Sequence, residues 1–156
     1  MPEDQEDIVS PETQAIEAAA AIAIVNDKVL LVEEGEGSSH ITGMLGIPSG
    51  RVKPGESTVE AALREFEEET GLQAEIGDIE EFPGNLFQAD IPRKGGQIKR
   101  YNWHVYRIKR FSGKILETAD NVKPIWTEIS QLEELHRQGK LLPNVFNAVQ
   151  AATKAV

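Results

Sequence analysis

The chain is predicted to be α/β on three observations, each of a different kind. Two apolar runs meet at Asn26-Asp27, as in a hairpin. A capped amphipathic helix follows at Thr58–Thr70. Beyond it an aromatic-rich alternating segment leads into two further helical patterns. Strand and helix patterns mixed along one chain place helices against a sheet. At 156 residues the chain is one domain by size, 40% hydrophobic and 27% charged, the ordinary composition of a globular protein.

Taken in order, Met1–Gln14 is acidic and aperiodic, with two prolines, and reads as a flexible tail; residues 15–156 are the folded domain. Ile16–Val25 and Lys28–Glu33 flank Asn26-Asp27. The two runs around Asn-Asp read as a hairpin, and the alanines of the first run also suit a helix, so the residues alone leave both open. Glu34–Gly43 reads as a loop in which His40 is solvated, and Met44–Ile47 as a short strand. Ser57 and Glu60 make a capping box, so the helix starts near Thr58, and Gly71 stops it at Thr70. Val59, Ala62, Leu63, Phe66 and Thr70 form its apolar stripe.

After Leu72, strands are expected over Ala74–Ile79, Leu86–Ile91 and Gln97–Phe111. The last alternates Tyr101, Trp103 and Val105 with Asn102, His104 and Tyr106. Ser112-Gly113 is read as a turn, Lys114–Glu117 as a strand, and Thr118–Asn121 as a loop before a strand holding Trp126. Ser130 with Glu133 suggests a second capping box, stopped by Gly139. Pro143–Ala155 is a terminal helix turning Val145, Phe146 and Val149 inward.

The absence of cysteine excludes disulfides and thiol chemistry and fits a reducing, cytoplasmic interior. No apolar run is long enough for a membrane span. A formal net charge of −10 disfavours nucleic acid. The charge is segregated: no Asp or Glu lies between Ile91 and Leu116, a segment holding eight of the 16 Lys and Arg residues.

The chemistry concentrates between Gly50 and Leu72, which carries six glutamates. Glu65, Glu68 and Glu69 stand at i, i+3 and i+4, with roughly 5–6 Å between Cβ atoms on one helix face. Unpaired, they repel; a hard divalent cation reverses the sign, and oxygen ligands suit Mg2+ or Mn2+. Arg64 can fix a carboxylate through its planar fork. A solvated, salt-laced acidic surface is the bland alternative, but it leaves the offsets of Gly50, Gly55, Arg64 and Gly71 unexplained.

Those offsets carry a resemblance. Gly50, five residues, Glu56, seven residues, and then Arg64-Glu65-Phe66-Glu67-Glu68-Glu69-Thr70-Gly71-Leu72 is similar at every fixed position to the signature of the Nudix hydrolase superfamily. The resemblance implies a three-layer αβα sandwich with a mixed β-sheet, the Nudix fold. It implies that Glu65, Glu68 and Glu69, with the backbone carbonyl of Ser49, hold Mg2+ or Mn2+, supported by Glu56 and Arg64. Serine stands at position 49 where family members commonly carry glycine, although its carbonyl is retained. From the late loop, Asp120 is the expected general base or further ligand, with Glu117 as competitor. Arg51, Arg100 and Trp103 are the candidate substrate contacts.

The implied activity is metal-dependent hydrolysis of a nucleoside diphosphate linked to another moiety, by water attack on phosphorus. Nucleoside triphosphates, nucleotide sugars, ADP-ribose and dinucleoside polyphosphates stay open, since no subgroup pattern follows the signature. A noncatalytic nucleotide- or RNA-binding regulator and a plain acidic interaction domain are the alternatives. The partner implied is a nucleotide-type small molecule, and a homodimer is compatible with it.

Overall fold

Asn26 and Asp27 both adopt left-handed backbone conformations (φ 50° and 65°), the requirement of a tight hairpin, and join β1 (Ile16–Val25) to β2 (Lys28–Glu34). The computed structural model describes residues 15–118 and 121–154; the expected acidic tail and Asp120 lie outside the described residues. β1 is a strand despite its alanines because it is buried on both faces: Ala18 to Ala23 are all 4% exposed or less. Small side chains there let layers close on the sheet from both sides.

The other strands are β3 (Leu45–Gly46), β4 (Ser49–Arg51), β5 (Leu72–Gln73), β6 (Ile79–Glu80), β7 (Leu86–Pro92), β8 (Ile98–Ile108), β9 (Ser112–Gly113) and β10 (Val122–Glu128). The principal sheet runs β10-β2-β1-β8-β6, with β3 beside β2, β4 beside β1 and β7 beside β8. β1 and β8 are parallel, with Ala18 opposite Trp103, and the other strand pairs are antiparallel, so the sheet is mixed as expected.

Helix α1 (Thr58–Thr70) covers one face, packing Phe66 against Ala21, Ala23, Leu30 and Ile108. Helices α2 (Leu132–Arg137) and α3 (Val145–Lys154) cover the other, where Val145 and Val149 meet Ala18, Ala20, Ile22 and Val105. The result is the α/β three-layer sandwich. α1 begins and ends where its local chemistry dictates. The Ser57 hydroxyl accepts from the Glu60 amide at 3.0 Å, the Glu60 carboxylate accepts from the Ser57 amide at 2.8 Å, and Gly71 closes the helix at φ 84°.

Several local expectations need correcting. Ala74–Asp78 is no strand, and only Ile79 of the expected segment joins one, β6: the Asp78 amide donates to the Glu75 carbonyl and the Glu75 amide to the Asp78 carboxylate, closing a 3-10 turn over Ile76–Asp78. Ser112 and Gly113 are strand, paired with Gln73 and Leu72, while Lys114–Glu117 is irregular. Ser130 lies inside a 3-10 turn, Ile129–Gln131, so it cannot cap; α2 starts from Gln131 without a side-chain cap. α3 buries Val145, Ala148, Val149 and Ala152, whereas Phe146 is partly buried and stacks on His136.

Candidate functional site

Gly50 is the point where β4 meets α1. A Cβ at this position would stand 2.3 Å from the Glu65 carboxyl carbon and from Oε2, a distance no real contact allows. The glycine is therefore required by close approach: the β4 backbone lies directly against a carboxylate. Glu65 is buried, at 8% exposure, and the helix that carries it is fixed by its caps and by Phe66.

Arg64 orders the carboxylates around that contact. Its Nε and Nη2 clasp both oxygens of Glu56 at 2.7 and 2.9 Å, its Nη1 reaches Glu65 at 2.5 Å, and Nη2 also donates to the Arg51 carbonyl at 3.0 Å. The reach to Glu68 is longer, 3.4 Å, and half-exposed. The planar fork thus ties the loop ahead of α1 to the helix. The two Arg64 bonds, with a further one from the Lys53 amide, hold the Glu56 carboxyl down to about 2, and the same contacts raise the Arg64 guanidinium further above its ordinary range. Glu69 turns toward β4, where it accepts from the Ser49 amide at 3.1 Å.

Ser49, Gly50, Arg51, Glu65 and Glu69 open into a cleft of about 430 Å³. Glu68 does not line it and is exposed on α1. Among the described residues, no three Asp, Glu or His side chains are drawn together as tightly as a bound ion draws its ligands. With protein groups alone, Arg64 supplies the positive charge, and the Ser49 amide takes up Glu69.

Ala18, Tyr101, Trp103, Leu142 and Pro143 also line the cleft. Trp103 belongs to the core, at 7% exposure and edge-on to Phe87, while also lining the cleft. Arg100 is elsewhere: its fork grips Asp90 at 2.7 and 2.9 Å across the β7–β8 pair, and it does not reach the cleft. Glu117 is exposed on the irregular segment after β9.

Glu34, Ser38, His40 and Arg93 also line the cleft, though the sequence reading placed none of them in the site. Glu34, read as loop, ends β2 and is 6% exposed. Ser38 donates to it at 2.5 Å, and burial raises its proton affinity above the ordinary carboxylate value. His40, read as solvated, lines the cleft; burial, reinforced by the nearby Arg93 charge, depresses its pKa to about 4, so it is neutral at physiological pH. Arg93, at the start of the β7–β8 connection, bonds Ser39 and the Tyr101 hydroxyl. Lys94 donates to the Glu36 carbonyl at 2.6 Å, joining that connection to the loop after β2. The glycines of this loop were its available signal: Gly35 and Gly37 have no room for a Cβ against Asn121.

Comparisons with known proteins agree with this construction. The NUDIX domain model matches residues 15–145. The chain is 45% identical over 134 residues to the human 8-oxo-dGDP phosphatase NUDT18, covering 83% of this chain and 37% of that protein. It is 30% identical over 100 residues to an RNA pyrophosphohydrolase of Erythrobacter litoralis, covering 60% of each. The chain thus spans less than two thirds of either relative's length. Among solved structures, the E. coli ORF135 protein superposes with a TM-score of 0.65 at 25% identity over 90% of both chains. A MutT protein of Bacillus halodurans gives 0.61 at 23%, over 77% of this chain and 72% of its own. With the sandwich, the Gly50–Glu65 contact and a family match over most of its length in agreement, the chain belongs to the NUDIX family.

Proposed function

We propose that the chain is a metal-dependent hydrolase that cleaves the pyrophosphate bond of a nucleoside diphosphate linked to another moiety. The observation that carries the reading is the Gly50–Glu65 contact on the wall of a cleft large enough for a nucleotide. The donor set fits a hard divalent cation: Glu65, Glu68 and Glu69 offer carboxylate oxygens, the Ser49 carbonyl is on the adjoining strand, and the missing Gly50 side chain leaves backbone and carboxylate oxygens side by side. These are the residues that would hold Mg2+ or Mn2+. When bound, such an ion neutralises phosphoryl oxygens and lowers the pKa of water.

The protein's own groups do the rest. Arg64 and Glu56 hold the loop and helix in register, so that Glu65 keeps one orientation. Arg51 lines the cleft beside the glutamates and can meet a phosphate, while Trp103 and Tyr101, largely buried, contribute to its lining. A glutamate not engaged as a ligand, or Asp120 or Glu117, would accept the proton of the attacking water. The expected location is the cytoplasm; among the described residues no helix is long and apolar enough to cross a membrane.

The relatives are named as an 8-oxo-dGDP phosphatase and an RNA pyrophosphohydrolase, which supports the reaction class and leaves the substrate open. The competing reading is a noncatalytic nucleotide-binding domain, and retention of Glu65, Glu68 and Glu69 speaks against it. A panel of nucleoside triphosphates, nucleotide sugars, ADP-ribose and dinucleoside polyphosphates, incubated with Mg2+ in 18O-labelled water, separates the two. Cleavage of at least one member, with label in a phosphate product, is the expected result. Nucleotides that raise the melting temperature but emerge intact would favour the noncatalytic domain.

A further inference from the structure

Among the described residues, helix α1 covers its side of the sheet only as far as Tyr106, whose hydroxyl meets that of Thr58 in the first helical turn at 2.5 Å. β8 extends well beyond that point, back to Ile98. Strand alternation puts Ile98, Arg100, Asn102 and His104 on the side of Tyr106, opposite the core residues Tyr101, Trp103 and Val105. β7 supplies their neighbours in register: Leu86 opposite His104, Gln88 opposite Asn102, Asp90 opposite Arg100 and Pro92 opposite Ile98. Leu86 and Ile98, 57% and 48% exposed, stand at the two ends of this ladder.

The polar rungs between them are matched within the chain. Arg100 grips Asp90 at 2.7 and 2.9 Å, Gln88 donates to Asn102 at 3.1 Å, and Glu17 of β1 meets Asn102 and His104, each at 2.7 Å. Two acids thus share the face with one arginine and one histidine, a near balance on a chain of formal net charge −10. Copies of such a chain repel one another least where this face meets its like. The pattern is also its own complement. About a twofold axis along the strands, between β7 and β8, each β7 residue faces the β8 member of its own rung in the other copy. Asp90 then faces Arg100, Gln88 faces Asn102, and Pro92 faces Ile98.

We infer that this sheet face is an interaction surface and that its partner is a second copy of the same chain, packed face to face about that axis. Stacked sheets align within about 30°, so the two central rungs stay opposed. The cleft takes its Tyr101 and Trp103 lining from the other side of β8, which leaves the surface separate from the proposed active site. The inference therefore stands or falls independently of the hydrolase reading.

Sedimentation equilibrium of the full chain, from micromolar to near-millimolar concentration, tests it. The parent should show a reversible monomer–dimer equilibrium. Asp90→Arg sets two arginines against two, and Arg100→Asp two aspartates against two, so each variant alone should self-associate about a hundredfold or more weakly. Mixing the two variants restores opposite charges at both crossings, and the mixture should recover association of the parent's order. The Asp90–Arg100 bridge is solvent-accessible, so losing it within each chain costs little stability. Recovery on mixing is a result that general loss of structure cannot give. If either reversal fails to fold, Ile98→Glu takes its place and should weaken association from the apolar end of the ladder. A parent that stays monomeric throughout, association unaltered by the substitutions, or a mixture no better than its components would overturn the inference.

Discussion

Glu68→Gln should reduce turnover by about three orders of magnitude or more while leaving the fold intact. Glu68 stands exposed on α1, its side chain 42% accessible, and among the described residues it meets Arg64 at a loose 3.4 Å. Removing its charge therefore breaks no packing, and the melting temperature should move by no more than a few degrees. The proposed ion, however, would lose one of three carboxylates. Phosphoryl charge stabilisation by a metal supplies several kcal/mol, and each 1.36 kcal/mol is a factor of ten in rate, so a loss near 4 kcal/mol gives about a thousandfold. Steady-state rates on whichever panel member is cleaved, beside thermal melts, check both halves. A variant that turns over at the parent rate would remove Glu68 from the ligand set.

Gly50→Ala should cost about a hundredfold in activity at little cost in stability. Its Cβ would enter within 2.3 Å of the Glu65 carboxylate, so that carboxylate must move. The obstructing atoms are the far end of a flexible side chain, not backbone, and Gly50 needs no left-handed conformation, so the fold can yield cheaply. What does not survive is the position of an oxygen donor, and an ångström of misplacement at a reacting centre costs on the order of 10²-fold. Melting temperature and kcat/KM measured together separate the outcomes. A large loss of stability would mean that the glycine serves the backbone. Unchanged kinetics would mean that the Glu65 position is immaterial.

What the sequence made legible was local. The capping box at Ser57 and Glu60, the Gly71 stop and the apolar stripe through Phe66 act within one helix, so the pattern predicted its limits to the residue. The hairpin at Asn26-Asp27 was visible for the same reason, because two adjacent left-handed residues allow few other shapes. The order of the acidic helix, Gly50 and Glu56 also pointed to their common loop, which Arg64 ties together.

Pairings made at a distance left no such trace. Leu72–Gln73 and Ser112–Gly113 are strands only because they meet, and neither pair of residues carries a period. Ser130 and Glu133 had the right spacing for a cap, but the chain reaches α2 through a 3-10 turn that occupies Ser130. The cleft lining around Glu34 is the same case: Ser39 and Arg93 are 54 positions apart and come together through the β7–β8 connection. His40 reads as a solvated loop residue until that connection covers it, and Glu34 as the first residue of a loop until β3 and Leu142 enclose it. Arg100, conspicuous in a basic segment, spends its charge on Asp90 across one strand pair.

The central claim is that the glutamates of α1 belong to a hard cation, and calorimetric titration of Mn2+ into the wild-type chain and into Glu68→Gln tests it most directly. Saturable uptake by the wild type, weakened at least tenfold in the variant, is the expected result for a lost charged ligand. Heats no larger than dilution in the wild type, or identical uptake by both proteins, would contradict it.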